Sequence, residues 1–285
     1  MWLPYDRGRP VSSITPRRLL GASTSIMQTS NDESVPEAGR TMAVLEAFSP
    51  VFPELGVSEI AQRASLPPAM ARRLATTLCE LGYLHLAADG QRYRLGARLI
   101  GIARAFLGAR GIRAVAHGHM EALSSRFRAP LALSEREGSE MVYLDYVRGE
   151  SPVIVQHRVG TRLPIGTSAA GRAWLASAPP VEVDAVVRQL EARSVQGAAG
   201  LHERIAAARR DLAELGFTRS YGEMHPDVNA VAVPLRSPID GASLVMSLAA
   251  PSMLVPVRRC DTEFGPALLS MVAQVQREAA GTARA

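Results

Sequence analysis

No lysine occurs among the 285 residues, and all 32 basic side chains outside histidine are arginine. The bias reflects coding composition before chemistry, yet arginine is the cation suited to forked contacts with phosphate and guanine. Only two cysteines are present, Cys79 and Cys260. They exclude a disulfide framework and a cysteine-rich zinc site, and they fit a reduced, cytosolic setting. No run of ~18 consecutive apolar residues occurs, which excludes a membrane-spanning helix and leaves the membrane out as a partner. Arg7, Arg9, Arg17 and Arg18 interrupt every apolar run near the N-terminus, so no secretory signal is legible. HExxH, Cys-x2-Cys, the P-loop, GxSxG and GxGxxG are all missing, and with them the local signatures of zinc, nucleotide and serine-hydrolase chemistry. His117 and His119 are two apart and would point in different directions on a helix. With His85, His157, His202 and His225 they read as surface groups rather than metal ligands. Ser168, His157 and Asp145 can be assembled on paper into a triad, but no spacing supports it. No enzymatic activity, no cofactor and no metal are expected.

What is present is ordinary globular composition, 47% hydrophobic and 21% charged, at a length that suggests two domains. The net charge of +5 is uneven. Residues 1–110 hold thirteen arginines against nine acids, whereas the remainder is nearly balanced, which points to a polyanionic partner for the N-terminal part. Residues 1–35 lack periodicity and read as a disordered leader, or as sequence upstream of a true start at Met27. From 36 to 95 the pattern is helix, helix, turn, helix and ribbon. Met42, Leu45 and Phe48 mark the inner stripe of a helix over 37–48. Ser58 is expected to cap a second helix that buries Ile60, Ala61 and Ala64. Pro68 opens a third helix over 69–81 with Ala71, Leu74, Leu78 and Leu81 facing inward, and Gly82 stops it. Tyr83–Leu86 and Arg92–Leu95 flank Asp89-Gly90 as a hairpin. The sum is a winged helix-turn-helix.

Residues 96–110 read as a connecting helix whose apolar face, Leu95, Leu99, Ile102 and Phe106, needs a partner. Residues 111–285 mix elements. Helices are expected over 117–127, 168–178, 181–192, 201–215 and 257–278. Strands are expected over 131–136, 141–147, 153–159, 217–221, 230–236 and 243–249. Hairpin connections make this an antiparallel sheet flanked by helices, an α+β sensor-type domain.

Leu45-Glu46-Ala47-Phe48, Val57-Ser58-Glu59-Ile60-Ala61, Arg72-Arg73-Leu74 and Leu81-Gly82-Tyr83-Leu84 together resemble the DNA-binding domain of IclR-type bacterial transcriptional regulators. Val159–Pro164, Thr167–Ala173, Ala230–Leu235 and Ser247–Pro251 resemble that family's effector domain, in the right order. The resemblance covers about residues 37–278 and implies a GAF-like C-terminal domain that binds a small organic acid. It also implies a homodimer or homotetramer on a palindromic operator. One departure stands out. Pro67, Pro68, Ala69 and Met70 occupy positions where the family usually has serine or threonine, which removes hydroxyls that would cap the helix or bind phosphate.

With the inner stripe assigned, Ala69, Met70, Arg72, Arg73 and Thr76 face or flank the DNA groove. Arg72 and Arg73 suit guanine or phosphate, and Met70 and Ala69 suit a thymine methyl. Arg92 and Arg94 share one face of the ribbon and suit backbone phosphate or the minor groove. Gly166-Thr167-Ser168 lies between a strand end and a helix start. Thr167 or Ser168 is the expected cap, leaving free N–H groups that accept a carboxylate. The resemblance adds Ser220, Ala230, Ser247 and Ala249 as pocket positions. Two small apolar groups among them favour a larger, partly apolar effector such as an aromatic acid. The competing reading is a metabolite-binding or catalytic protein whose helix-turn-helix makes only protein contacts.

Overall fold

Pro36 opens the first element of the computed structural model, which describes residues 36–150, 157–192 and 200–283. Helix α1 runs Pro36–Glu46. It buries Val44, with Ala47 and Phe48 just beyond its end, while Met42 lies exposed. The inner stripe is therefore Val44, Ala47 and Phe48, at steps of three and four, and not the Met42, Leu45, Phe48 row. Strand β1 (Glu54–Gly56) follows, then α2 (Val57–Ala64). The cap of α2 is Gly56 rather than Ser58, which lies inside the first turn. Glu59 closes the helix start by accepting the Gly56 amide at 2.8 Å.

Helix α3 spans Pro68–Glu80 with Pro68 at its first position. Ala71, Leu74, Ala75 and Leu78 face the core. Leu81 does not; it follows the last helical residue and is 48% exposed. The chain reverses there through Gly82 at φ +77°. Strands β2 (Leu84–Leu86) and β3 (Arg92–Leu95) form the expected ribbon, and β1 pairs with the other edge of β3 to make three strands in the order β1-β3-β2. Gly96 sits at the ribbon's foot, where a Cβ would come within 2.4 Å of the Gly82 carbonyl oxygen. Only glycine fits that approach.

The chain divides into two compact units between Arg104 and Ala105, and α4 (Arg98–Ala109) runs across the division without burying any residue. The second unit is built on a six-stranded antiparallel sheet in the order β6-β5-β4-β9-β8-β7. Its strands are β4 (Leu131–Glu137), β5 (Glu140–Val147), β6 (Arg162–Pro164), β7 (Thr218–Tyr221), β8 (Val228–Arg236) and β9 (Ser243–Pro251). Both faces are covered. Leu131, Leu133, Val231, Val233, Met246 and Leu248 point to one side, against α5 (Gly111–Phe127) and α10 (Gly265–Thr282). Ala132, Tyr143, Ala232 and Val245 point to the other, against α6 (Ala169–Ser177), α7 (Pro180–Ala192) and α8 (Leu201–Leu215). The period-two alternation of each strand is what splits the core in two.

Further details differ from the sequence reading in the second unit. The strand expected over 153–159 falls largely outside the described residues, and its described end, His157–Gly160, is coil and turn; the edge strand is Arg162–Pro164 instead. The C-terminal helix is continuous, as expected, but carries a π-helical segment: short α9 (Val257–Arg259) runs through Cys260–Phe264 into α10 with helical backbone throughout. Finally, not all histidines are simply solvated. His117 Nδ1 lies 2.9 Å from the buried Asp145 carboxylate, and His119 Nε2 lies 2.7 Å from Glu278. His157 packs half-buried beside the Tyr143 and Tyr146 rings.

Candidate DNA-reading face and effector cavity

The outer face of α3 is arginine-rich. Ala69, Arg72, Arg73 and Thr76 are exposed, and Met70 is half-buried against the small core. Among the described residues Arg72 makes no ion pair. Arg73 Nη2 meets Glu37 Oε1 at 2.6 Å, with both side chains more than half exposed. Thr76 donates its hydroxyl back to the Arg72 carbonyl at 3.0 Å. On the ribbon, Arg92 and Arg94 flank the buried Tyr93 and so share the open side. Arg92 donates to the Glu54 carbonyl at 2.8 Å and stands 3.7 Å from Glu59. Arg94 is exposed and pairs in register with Glu54 on one side and His85 on the other. Exposed pairs of this sort are worth about 0–1 kcal/mol and exchange readily for phosphate.

The second unit holds a cavity between the start of α6 and the face of the sheet. Its walls include Ser168, Ser220, Ala230, Ser247 and Ala249. Strand register explains the convergence. Ser220 lies opposite Ala230, Ala230 opposite Ala249, and Ser247 is two residues from Ala249 on the same face. Ser168 is the cap of α6: its hydroxyl accepts the Gly171 amide at 3.1 Å and donates to the Pro164 carbonyl at 2.7 Å. Gly166 and Thr167 do not line the cavity. Their carbonyls accept from Arg204 Nε at 3.0 Å and Ser220 Oγ at 2.9 Å, which ties the turn before α6 to α8 and β7. Gly171 lets α6 sit against that turn, since a Cβ there would fall 2.0 Å from the Ile165 carbonyl oxygen.

Tyr143, Leu163, Ala169, Ala170, Met224 and Val228 complete the wall and were not anticipated. Tyr143 comes from β5, whose place in the sheet is set by pairing with β4 and β6. No local signal marks it, apart from alternation that puts it on the face of Met141. Burial pushes its phenol far up, so it stays neutral and can hydrogen-bond to Ser247. The cavity measures ≈ 30 Å³, on a scale where one water takes about 10–15 Å³. A six-membered ring does not fit until a wall moves.

Neither cysteine is activated. Burial, then the Glu80 charge, raises the Cys79 thiol, and burial pushes Cys260 up to about 12. Among the described residues no cluster of histidine, cysteine and carboxylate side chains could hold a metal ion, and no helix is long and apolar enough to cross a membrane.

Residues 38–86 match the model of the IclR helix-turn-helix domain, and residues 104–277 match that of the bacterial transcriptional regulator IclR C-terminal domain. The chain belongs to the IclR family. It is a helix-turn-helix transcriptional regulator, with DNA as the partner of its N-terminal domain. A crystal structure of an IclR-family regulator from Brucella abortus is 32% identical, with a TM-score of 0.79, over 89% of this chain and 96% of that one. An IclR homologue from Microbacterium hydrocarbonoxydans, solved in complex with 4-hydroxybenzoate, is 26% identical with a TM-score of 0.66 over 87% of this chain and 99% of that one. The regulator TsaQ1/TsaQ2 of Comamonas testosteroni is 28% identical over 254 residues, 88% of this chain and 91% of the relative.

Proposed function

We propose that this IclR-family regulator senses an aromatic carboxylic acid of about benzoate size in the α6 cavity. In this reading Arg72, Arg73, Arg92 and Arg94 hold operator DNA, with Ala69, Met70 and Thr76 at its edge. The observation that carries the effector reading is the convergence of Ser168, Ser220, Ala230, Ser247 and Ala249 on one cavity at the N-terminus of α6. First-turn amides of a helix lack intrahelical acceptors and suit an anion, while Leu163, Met224, Val228 and the alanines suit a ring. The 4-hydroxybenzoate bound to the Microbacterium homologue supports the same chemistry. The cavity is too small for a ring, so entry of the ligand displaces a wall, and that displacement is the event available for signalling.

DNA binding in this reading is by a homodimer on a palindromic site, because one helix offers few base contacts. The exposed Ile100, Ile102 and Phe106 of α4 suit a second copy. The test is fluorescence anisotropy with labelled DNA from upstream of the protein's own gene, over a range of salt concentrations. Arg72→Ala with Arg73→Ala should abolish binding at moderate salt. Benzoate or 4-hydroxybenzoate should change the wild-type affinity at fixed salt and raise the thermal midpoint. Binding that survives the double substitution would refute the DNA face. Indifference to every aromatic acid would refute the effector assignment.

A further inference from the structure

Arg172 follows the cavity wall Ala169 by three residues in α6, so it stands one turn above that wall without lining the cavity itself. Its side chain is only 6% exposed. A buried guanidinium needs a counter-charge, and Glu223 supplies it, with Arg172 Nη1 donating to Glu223 Oε1. Arg172 Nε is buried and has no hydrogen-bond partner among the described residues. A planar carboxylate can take two parallel donors from such a fork, and Glu223 engages only the Nη1 edge.

Glu223 belongs to the connection between β7 and β8. The next residue, Met224, is a cavity wall, and so is Val228 where β8 begins. Glu223 and residues 225–227 are exposed, in contrast with the buried and half-buried strand and helix residues that make the other walls. Of all the walls, this connection can shift with the least loss of core packing, and the Arg172–Glu223 pair pins it.

We infer that Glu223 is a built-in competitor for the effector: it holds the Arg172 guanidinium, and the Met224 wall with it, until the ligand's carboxylate takes Arg172 over. The inference rests on the acid-effector reading of the cavity. The exchange replaces one carboxylate by another, so the buried cation stays neutralised throughout. A neutral ligand of the same shape leaves Glu223 where it is and meets a closed wall. The device therefore selects for anions and couples their arrival to movement of the β7–β8 connection.

The experiment is calorimetric titration of the full-length wild type, Glu223→Gln and Arg172→Lys with benzoate, 4-hydroxybenzoate and the two matching amides. Glu223→Gln should tighten acid binding about tenfold or more and leave the amides weak, because it removes a competing charge without removing the fork. Arg172→Lys should lose about tenfold on the acids, since an ammonium cannot offer the fork. Acid binding by Glu223→Gln where the wild type shows none would also support the competition. Unchanged acid affinity in Glu223→Gln would overturn it while leaving the effector reading intact, and equal tightening of acids and amides would do the same. If neither the wild type nor Glu223→Gln binds any of the acids, the effector reading fails and this inference falls with it. Glu223 is over a third exposed, so its variant decides the matter even if Arg172→Lys does not fold.

Discussion

Arg73, on the face proposed to hold DNA, is paired with Glu37. Their contact is a surface pair, screened and worth little, and its strength falls with salt. Replacing Glu37 by Gln should therefore leave thermal stability unchanged within about 0.5 kcal/mol. It should raise affinity for DNA and steepen the salt dependence by up to one phosphate contact, as read by anisotropy between low and moderate salt. Arg72, without an ion pair among the described residues, needs no such release. His157 gives a second test at this scale. Burial lowers its pKa, so the unfolded chain takes up the proton first as pH falls below 6.5. Stability conferred by the neutral ring is present above that pH and is lost between 6.5 and the lower folded value. The fall in thermal midpoint from pH 7.5 to 5.5 should be smaller in His157→Phe than in the wild type; an identical fall would show that His157 does not contribute.

Among elements, α6 borders the proposed effector cavity and tolerates little change at its start. Gly171→Ala drives a methyl into the Ile165 carbonyl, and overpacking of this kind costs about 1–3 kcal/mol. The expected readout is a lowered midpoint for the second unit and loss of acid binding, because the turn that positions Ser168 must retreat. Ser168→Ala removes the cap bond to Gly171 and should cost ~1 kcal/mol with the helix still formed. The chain narrows the cap to Thr167 or Ser168, because a hydroxyl residue just before a helix is a local chemical signal, and the structure places Ser168 there. Strand β1 was not. Glu54-Leu55-Gly56 sits between Pro53 and a helix, has no alternation of its own, and is extended only because β3 pairs with it. Leu81 misled for a related reason. It continues the helical spacing of Leu74 and Leu78, but the helix has already ended, so the period no longer says which way it points.

For the whole molecule, the decisive feature is the division into two compact units with separate cores. Calorimetry should resolve two unfolding transitions rather than one. Leu78→Ala, which empties a site in the smaller core, should lower one transition by about 2–5 kcal/mol and leave the other in place. Leu131→Ala, at a fully buried position in the larger core, should do the reverse. A single transition that shifts equally in both variants would mean that the units fold as one. An aromatic acid should raise only the transition that Leu131→Ala lowers, because the cavity lies wholly in that unit.

The order of the main helices, the winged helix-turn-helix, the antiparallel sheet and the arginines of α3 follow from the chain alone, because periodicity, capping and Asp-Gly turns act over a few residues. The tertiary structure decided what lies between distant segments. It set the three-stranded ribbon, the place of Tyr143 and Met224 among the walls of the ≈ 30 Å³ cavity, and the pairing of Arg172 with Glu223 fifty-one residues away. Those features depend on strand register and on the burial of charge, and neither is a property of any short stretch of sequence.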